Sequence, residues 1–350
     1  MTAEFAYASP RAPRIAAVNS RTIPPMLSLR RSLLAFAFVV SAVLTIAAPA
    51  SAQNWPQRPV RFILPIGPGA GVDITARLLA DKLSARWGQP VVVENRPGGD
   101  AILAITTVLN AHDDHVLLFA PASAFTAHPL LHDKLPYKIQ DLAPIARVTN
   151  TLIGVAVPTS LGVSSLKDFV AKVRSEPGKL NYASATGAND LLFAAFLKTE
   201  KLDMAKVPYK DTVQAVNDLA ESRVHGYVAA YAILRPRVQA GKIKVLALTN
   251  PNHAAALPDI PTAKEAGFDA LTMDGLSGLF GPQSMPPAVR ERIAKDIREV
   301  VADKTIEQRL SATGQVVNPG TPAEFAAAID EQRATVKKIG ETLGIKPAAQ

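Results

Sequence analysis

The chain has 350 residues, with 38 Lys and Arg against 30 Asp and Glu, a net charge of +8, and no cysteine. That length suits two domains of ordinary size, and the lack of cysteine excludes disulfides, thiol catalysis and Cys-ligated metals. The positive charge forms no Lys/Arg block and no nucleic-acid motif accompanies it, so a nucleic-acid partner is not expected. At the N-terminus, Met26 to Arg31 reads as a charged start, Leu33 to Ile46 as an apolar stretch, and Ala50-Ser-Ala52 as a small-residue cleavage signal. The pattern predicts a signal peptide over 26–52, cleaved after Ala52, with residues 1–25 an upstream extension and the mature protein exported. The apolar stretch is too short, and too closely followed by Pro49, to favour a permanent span. Removing residues 1–52 takes away five Arg and one Glu, which lowers the net charge from +8 to +4.

Residues 60–100 open the mature part with an ordered series. Val60-Arg-Phe-Ile-Leu64 is a β-prone run, and Pro65-Ile-Gly-Pro-Gly-Ala-Gly71 is a Gly/Pro loop. The next segment places Val72, Ala76, Leu79 and Leu83 on one helical face, at spacings of four, three and four. Val91-Val-Val-Glu-Asn95 is a second strand. A helix that starts directly after glycines turns free backbone N–H groups and the positive end of its dipole toward whatever occupies the loop. The loop is not a dinucleotide fingerprint, because Val72 stands at the third glycine position, and it is not a P-loop, because no Gly-Lys-Ser/Thr closes it. A plain strand-to-helix turn without a ligand is the competing reading.

Farther along, Val116–Phe119, Leu152–Val157, Leu180–Ala183, Val224–Ala229 and Val245–Thr249 read as strands. Ser165 to Val173, Asn189 to Thr199, Thr212 to Glu221 and Pro287 to Val301 read as helices. Thr262-x-x-Glu265 and Thr321-Pro-Ala-Glu324 read as helix-opening capping boxes. The alternation points to an α/β fold with largely parallel sheets. His112-Asp-Asp-His115 is a metal-like cluster in a polar turn, where a solvated turn is the better reading, and no metal or cofactor is expected. Gly275-Leu-Ser-Gly278 lacks the spacing of a nucleophile elbow, and Asp190 reads as a helix-start residue rather than a general base.

The ordered motifs resemble the receptors of the tripartite tricarboxylate transporters, the Bug family of periplasmic binding proteins. The similarity is carried by Pro65-x-x-Pro68-Gly-x-Gly-x-Asp73, Val91 to Gly99, Lys134 to Ala146, Gly178 to Ser184, Val207-Pro-Tyr-Lys210, Gly241 to Thr249, Leu257 to Gly267 and Gly278-Leu-Phe-Gly-Pro282. The resemblance implies a two-lobed, type II-like periplasmic-binding-protein fold with a ligand cleft between two α/β domains. It places domain 1 at 53–150 and 276–350 and domain 2 at 151–275. It implies a solute-binding protein, not an enzyme, that captures a small organic carboxylate for membrane permease subunits, and a monomer. The implied ligand contacts are Ile66, Gly67, Gly69, Ala70, Gly71, Val72 and Asp73 from one side and Ser184, Thr186, Gly187 and Asn189 from the other, with Ser123, Tyr209 and Tyr227 as walls. Tyr209 reads equally well as a core tyrosine and Ser123 as a turn residue. Facing helix starts suit a carboxylate held by oriented dipoles without a buried Arg.

The sequence departs from the family pattern at the second loop, where Leu191-Leu192 follow Asn189 in place of a His. It departs again after Pro97, where Gly98-Gly-Asp100 replaces a longer glycine run. If the two leucines form cleft wall and Asp100 lies beside it, a ligand with one carboxylate and an apolar body fits better than citrate. The alternative places the leucines inside domain 2. Two other functions remain open: a ligand sensor feeding a signalling partner, and an exported hydrolase using Ser184 or Ser123, for which no base stands at recognisable spacing.

Overall fold

A computed structural model of the chain describes residues 55–185 and 187–346. The expected signal peptide, its cleavage site and Thr186 lie outside the described residues. The strands are β1 (Val60–Leu64), β2 (Val91–Asn95), β3 (Val116–Pro121), β4 (Leu142–Thr151), β5 (Ile153–Pro158), β6 (Asn181–Ala185), β7 (Ala205–Tyr209), β8 (Tyr227–Ala230), β9 (Ile243–Leu248), β10 (Leu276–Pro282) and β11 (Gln315–Gly320). The helices are α1 (Gly71–Trp87), α2 (Ile102–Ala111), α3 (Ser123–Thr126), α4 (His128–Leu131), α5 (Leu166–Ser175), α6 (Ala188–Thr199), α7 (Thr212–Ala220), α8 (Tyr231–Gln239), α9 (Pro287–Val301), α10 (Lys304–Ser311) and α11 (Pro322–Leu343).

The fold is a two-lobed α/β architecture. The first lobe is built on a six-stranded sheet in the order β11-β4-β10-β3-β1-β2. Successive side chains of β1 alternate between its faces. Val60, Phe62 and Leu64 pack with Val72, Ala76, Leu79 and Leu83 of α1 and with Ile293 and Ile297 of α9. Ile63 packs on the other face with Ala104, Ile105 and Val108 of α2 and with Phe325 and Ile329 of α11. All four apolar residues of the 4-3-4 stripe are therefore core, and the stripe fixes how α1 lies on the sheet.

The second lobe carries β8-β5-β9 and the parallel pair β6-β7, linked by a bridge between Tyr182 and Gly226. β5 is buried along its whole length. Val155 and Val157 meet α5 and α6 on one face, and Ala156 meets α7 on the other.

Strand direction differs from the expectation of largely parallel sheets. Among the described strands, only the pairs β1/β2, β1/β3 and β6/β7 are parallel; β10 runs antiparallel to β3 and β4, and β5 runs antiparallel to β8 and β9. The cause is the crossing itself. Only Leu152 separates β4 of one sheet from β5 of the other, and β10 brings the chain back beside β4 in the opposite sense. The crossing strands are pinned together by Thr151 N–H donating to Gly275 O at 2.7 Å. Asn250 Nδ2 donates to Thr151 O and to Asp274 Oδ1, both at 2.9 Å. Burial pushes the Asp274 carboxyl above its ordinary range, against the hydrogen bond from Asn250 that favours its charged form.

Two further elements depart from the sequence reading. Thr262 and Glu265 make both reciprocal hydrogen bonds of a capping box, at 2.8 and 3.1 Å, yet the segment closes a turn and opens no α-helix. α11 opens on a complete Thr321/Glu324 box. Its later residues Val336 and Ile339, expected with the first domain, pack into the cluster formed by α5 and α6 of the second lobe. No described helix is long and apolar enough to cross a membrane.

Candidate functional site

A cavity of about 240 Å³ opens between the lobes. That is just below the range of about 300–1,000 Å³ typical of drug-sized sites, so it suits a small molecule. Its first wall is Ile66, Ala70, Gly71 and Val72, with Pro121, Ser123 and Gln315 beside them. Its second wall is Ala183 and Ala185 of β6, Asn189, Asp190 and Phe193 of α6, and Tyr227 to Ala230 of β8. Thr151, Ile153 and Gly275 of the crossing strands form the floor. No Lys, Arg or His lines the cavity among the described residues.

The first wall follows from the loop between β1 and α1. Gly69 takes φ +86°, a left-handed conformation that glycine enters without steric cost. This turns its N–H onto Asp73 Oδ2 at 2.9 Å. Asn95 Nδ2 donates to Asp73 Oδ1 at 2.8 Å and to Ile66 O at 2.9 Å, and Arg77 pairs with Asp73 at 3.0 Å. Burial alone would raise the Asp73 carboxyl, but the hydrogen bonds from Arg77, Asn95 and Gly69 together hold it below the usual carboxylate range. Asp73, expected as a ligand contact, instead clamps the loop from behind, and the Gly69 N–H expected for the ligand is already engaged. Neither Gly67, Gly69 nor Asp73 lines the cavity. The intrahelical ladder of α1 begins with Ile74 N–H to Ala70 O at 3.0 Å. The N–H groups of Gly71, Val72 and Asp73 precede that bond and form the donor end of the helix.

Gln315 arrives from β11 and was not singled out by the sequence. Its Oε1 accepts from the hydroxyls of Thr149 at 2.9 Å and Thr151 at 3.1 Å, and its buried Nε2 has no partner among the described residues. The amide lies against Gly71: a Cβ there would stand 2.6 Å from Gln315 Nε2 and 3.1 Å from Thr313 O. Residue 71 must lack a side chain for the helix start and the amide to approach this closely.

On the second wall, strand alternation decides which residues face the cavity. Ala183 and Ala185 line it, so Ser184 between them points to the opposite side and is not a lining residue. Gly187 precedes α6 and also falls outside the lining. Asn189 and Tyr227 do line the cavity, and burial pushes the Tyr227 hydroxyl upward, with Asp190 and Asp211 adding to the shift. Tyr209 lies outside the lining: its Oη donates to Asp218 Oδ2 at 2.8 Å, and burial and that bond push it up to about 12.

Asp190, read from sequence only as a helix-start residue, lines the cavity as well. Its Oδ2 takes Lys206 Nζ at 2.9 Å, while its Oδ1 and the Oδ1 of Asn189 are buried without a partner among the described residues. Leu191 and Leu192 are inside the second lobe's core and form no part of the wall. The apolar wall comes from Phe193, Ile153, Val228 and Ile233 instead. Asp100 is also absent from the lining; its carboxylate stands 3.2 Å from His132 Nε2. The His112–His115 turn fastens the start of the described chain, with Arg58 bonded bidentately to Asp113 at 2.6 and 2.7 Å.

Comparison with known proteins places these features in a wider group. The profile of the family described as "Tripartite tricarboxylate transporter family receptor" matches residues 75–345. Among curated relatives, a UPF0065 protein of Bordetella bronchiseptica is 28% identical over 308 residues, covering 87% of this chain and 92% of its own length. Protein BugT of Bordetella pertussis is 28% identical over 305 residues, covering 86% and 94%. Among solved structures, a periplasmic transporter shares 29% identity with a TM-score of 0.75, covering 83% of this chain and 99% of that one. R. palustris Rpa4515 with adipate shares 26% with a TM-score of 0.76, covering 84% and 99%.

Proposed function

We propose, given that the chain belongs to the family of tripartite tricarboxylate transporter receptors, that it captures a small organic carboxylate between its lobes and delivers it to a membrane permease. The observation that carries this reading is the cavity between the lobes, with the N-terminus of α1 in one wall and no Lys, Arg or His among its described lining residues. A carboxylate seated there accepts from the N–H groups at the start of α1, where the helix dipole favours negative charge. Ser123 and Tyr227 offer hydroxyl donors, and Phe193, Ile153 and Ile233 cover an apolar body. Asp190 disfavours a second or third carboxylate on the opposite wall, since like charges in a poorly solvated cleft repel.

The protein works as a monomer in the periplasm. Ligand contact with both walls requires the closed arrangement of the lobes, so binding shifts the population toward it. The adipate found with the R. palustris relative is the first compound to examine. Titration calorimetry with a panel of mono-, di- and tricarboxylates, together with neutral analogues of matched size, tests the reading. The reading expects saturable binding of at least one mono- or dicarboxylate, no binding of its amide, and weaker binding of citrate. Equal affinity for an acid and its amide would contradict it.

A further inference from the structure

We propose that the ligand is an ω-amino acid, with a carboxylate and an ammonium group at opposite ends of an apolar chain. The inference deepens the carboxylate reading of the same cavity and rests on it. Its basis is the kind of hydrogen-bonding group that each wall leaves unused. On the first wall these groups are donors. The N–H groups of Gly71 and Val72 precede the first intrahelical bond of α1, and Gln315 Nε2 is buried with no partner among the described residues. The hydroxyls of Thr149 and Thr151 both bond Gln315 Oε1 and so orient its amide. On the second wall the unused groups are acceptors. Asn189 Oδ1 and Asp190 Oδ1 are buried and also lack a partner among the described residues. Gly71, Val72, Gln315, Asn189 and Asp190 all line the cavity. A buried acceptor without a donor is costly. An ammonium group carries three N–H donors and no acceptor, so it can serve both oxygens. The terminal torsion of Asn and Asp is soft, and a small turn presents each free oxygen to the ligand.

The charge of the second wall has the matching sign. Asp190 brings a carboxylate whose side chain is only 10% exposed, and its Oδ2 pairs with Lys206 Nζ at 2.9 Å. Lys206 lies outside the lining with its side chain 52% exposed, so water screens much of its charge. No Lys, Arg or His lines the cavity among the described residues, which leaves a ligand cation unopposed there. Asp211, which caps α7, adds negative charge nearby. It and Asp190 reinforce the upward push that burial exerts on the Tyr227 hydroxyl. A wall that resists one more anion in this way favours a cation. The start of α6 does not reverse the preference, because Asp190 stands in its first turn and already supplies the anion that the helix dipole favours.

The placement of the two sets of groups selects an ω-amino acid over an α-amino acid. An α-amino acid holds its ammonium beside its carboxylate. With the carboxylate at the start of α1, that ammonium would face N–H donors and the positive end of the helix dipole. In an ω-amino acid the methylene chain carries the ammonium away to the acceptors of the second wall. Ile153, Phe193, Val228 and Ile233 supply apolar lining for that chain.

The test is titration calorimetry at neutral pH with γ-aminobutyrate, δ-aminovalerate and ε-aminocaproate. The parent acids butyrate, valerate and caproate, the α-amino acid norvaline and the neutral valeramide are measured beside them. At least one ω-amino acid should bind about tenfold or more tightly than its parent acid, and δ-aminovalerate should bind more tightly than norvaline. In Asp190→Asn, shown to be folded by its melting curve, the advantage over the parent acid should shrink to less than about threefold. The wild-type series decides the matter by itself if the variant does not fold. The inference is overturned if each parent acid binds as tightly as its ω-amino acid, if norvaline outranks δ-aminovalerate, or if a folded Asp190→Asn keeps the full advantage. Valerate bound more tightly than valeramide, with no ω-amino acid ahead of its parent, overturns this inference alone. Valerate and all three ω-amino acids binding no better than valeramide overturns the carboxylate reading with it.

Discussion

The two walls of the cavity leave different hydrogen-bonding groups free among the described residues: donors on the first, at the start of α1 and at Gln315 Nε2, and acceptors on the second. Behind the first wall, Asp73 is engaged by Gly69, Arg77 and Asn95, and Asn95 also holds Ile66 O. On the second wall, one oxygen of Asn189 and one of Asp190 are buried without partners among the described residues. A loop wired from behind keeps its geometry whether or not a ligand is present, which is what preorganised anion recognition needs. Unpaired acceptors are costly in isolation and become favourable when a donor arrives. On the proposed reading, the first wall fixes the carboxylate and the second wall selects among carboxylates.

The largest expected effect falls on the first wall. A side chain at residue 71 must displace Gln315 Nε2, which a Cβ would approach to 2.6 Å. Gly71→Val should weaken carboxylate binding at least a hundredfold, equivalent to about 2.8 kcal/mol. Lys210→Ala, at an exposed residue outside the lining, should change it less than twofold. Calorimetry on both variants checks this contrast, and a melting curve shows that Gly71→Val remains folded. Overpacking of this kind costs about 1–3 kcal/mol in stability.

Asp73→Asn comes next and acts on stability. The Asp73 carboxyl is held below its ordinary 3.8 in the folded protein. Its contribution is therefore fully present above that value and is lost as pH falls through the folded-state pKa. The variant leaves Arg77 without its charged partner and should lose about 1–3 kcal/mol at neutral pH. The difference between wild type and variant should shrink as pH drops below 3.8, followed by urea unfolding at several pH values. A gap that stays constant into acid would show that the lost charge is not its cause.

Asp190→Asn is the smallest effect and the one that most sharpens the contrast between the walls. It removes the only carboxylate among the described lining residues while leaving Asn189 in place. Affinity for a dicarboxylate should rise about tenfold, or about 1.4 kcal/mol, with little change for the matched monocarboxylate. An equal gain for both acids would mean that Asp190 acts on the closing of the lobes rather than on ligand charge.

How much of this was legible in the sequence varies by element for physical reasons. The β1–loop–α1 unit was legible because its glycines, prolines and 4-3-4 stripe are local signals, and the stripe is buried throughout. Ser184 was misplaced because a strand shows only every second residue to one side, and Ala183 and Ala185 hold the cavity side. Leu191 and Leu192 face the core, whereas Phe193, the next residue, reaches the cavity wall. Gln315 was invisible because its place depends on β11 pairing with β4, a contact between residues far apart in the chain. Antiparallel strand direction was likewise invisible, since composition and periodicity carry no sign of the crossings at Leu152 and Gly275.

The central claim is that backbone N–H groups at the start of α1 hold the ligand carboxylate. Amide NMR spectra of the labelled protein, titrated with the tightest-binding acid of the panel, test it most directly. The account predicts that the amide protons of Gly71 and Val72 move strongly downfield as the acid saturates, while that of Gly69, already bonded to Asp73, moves little. Saturable binding with the Gly71 and Val72 amides unmoved would contradict it.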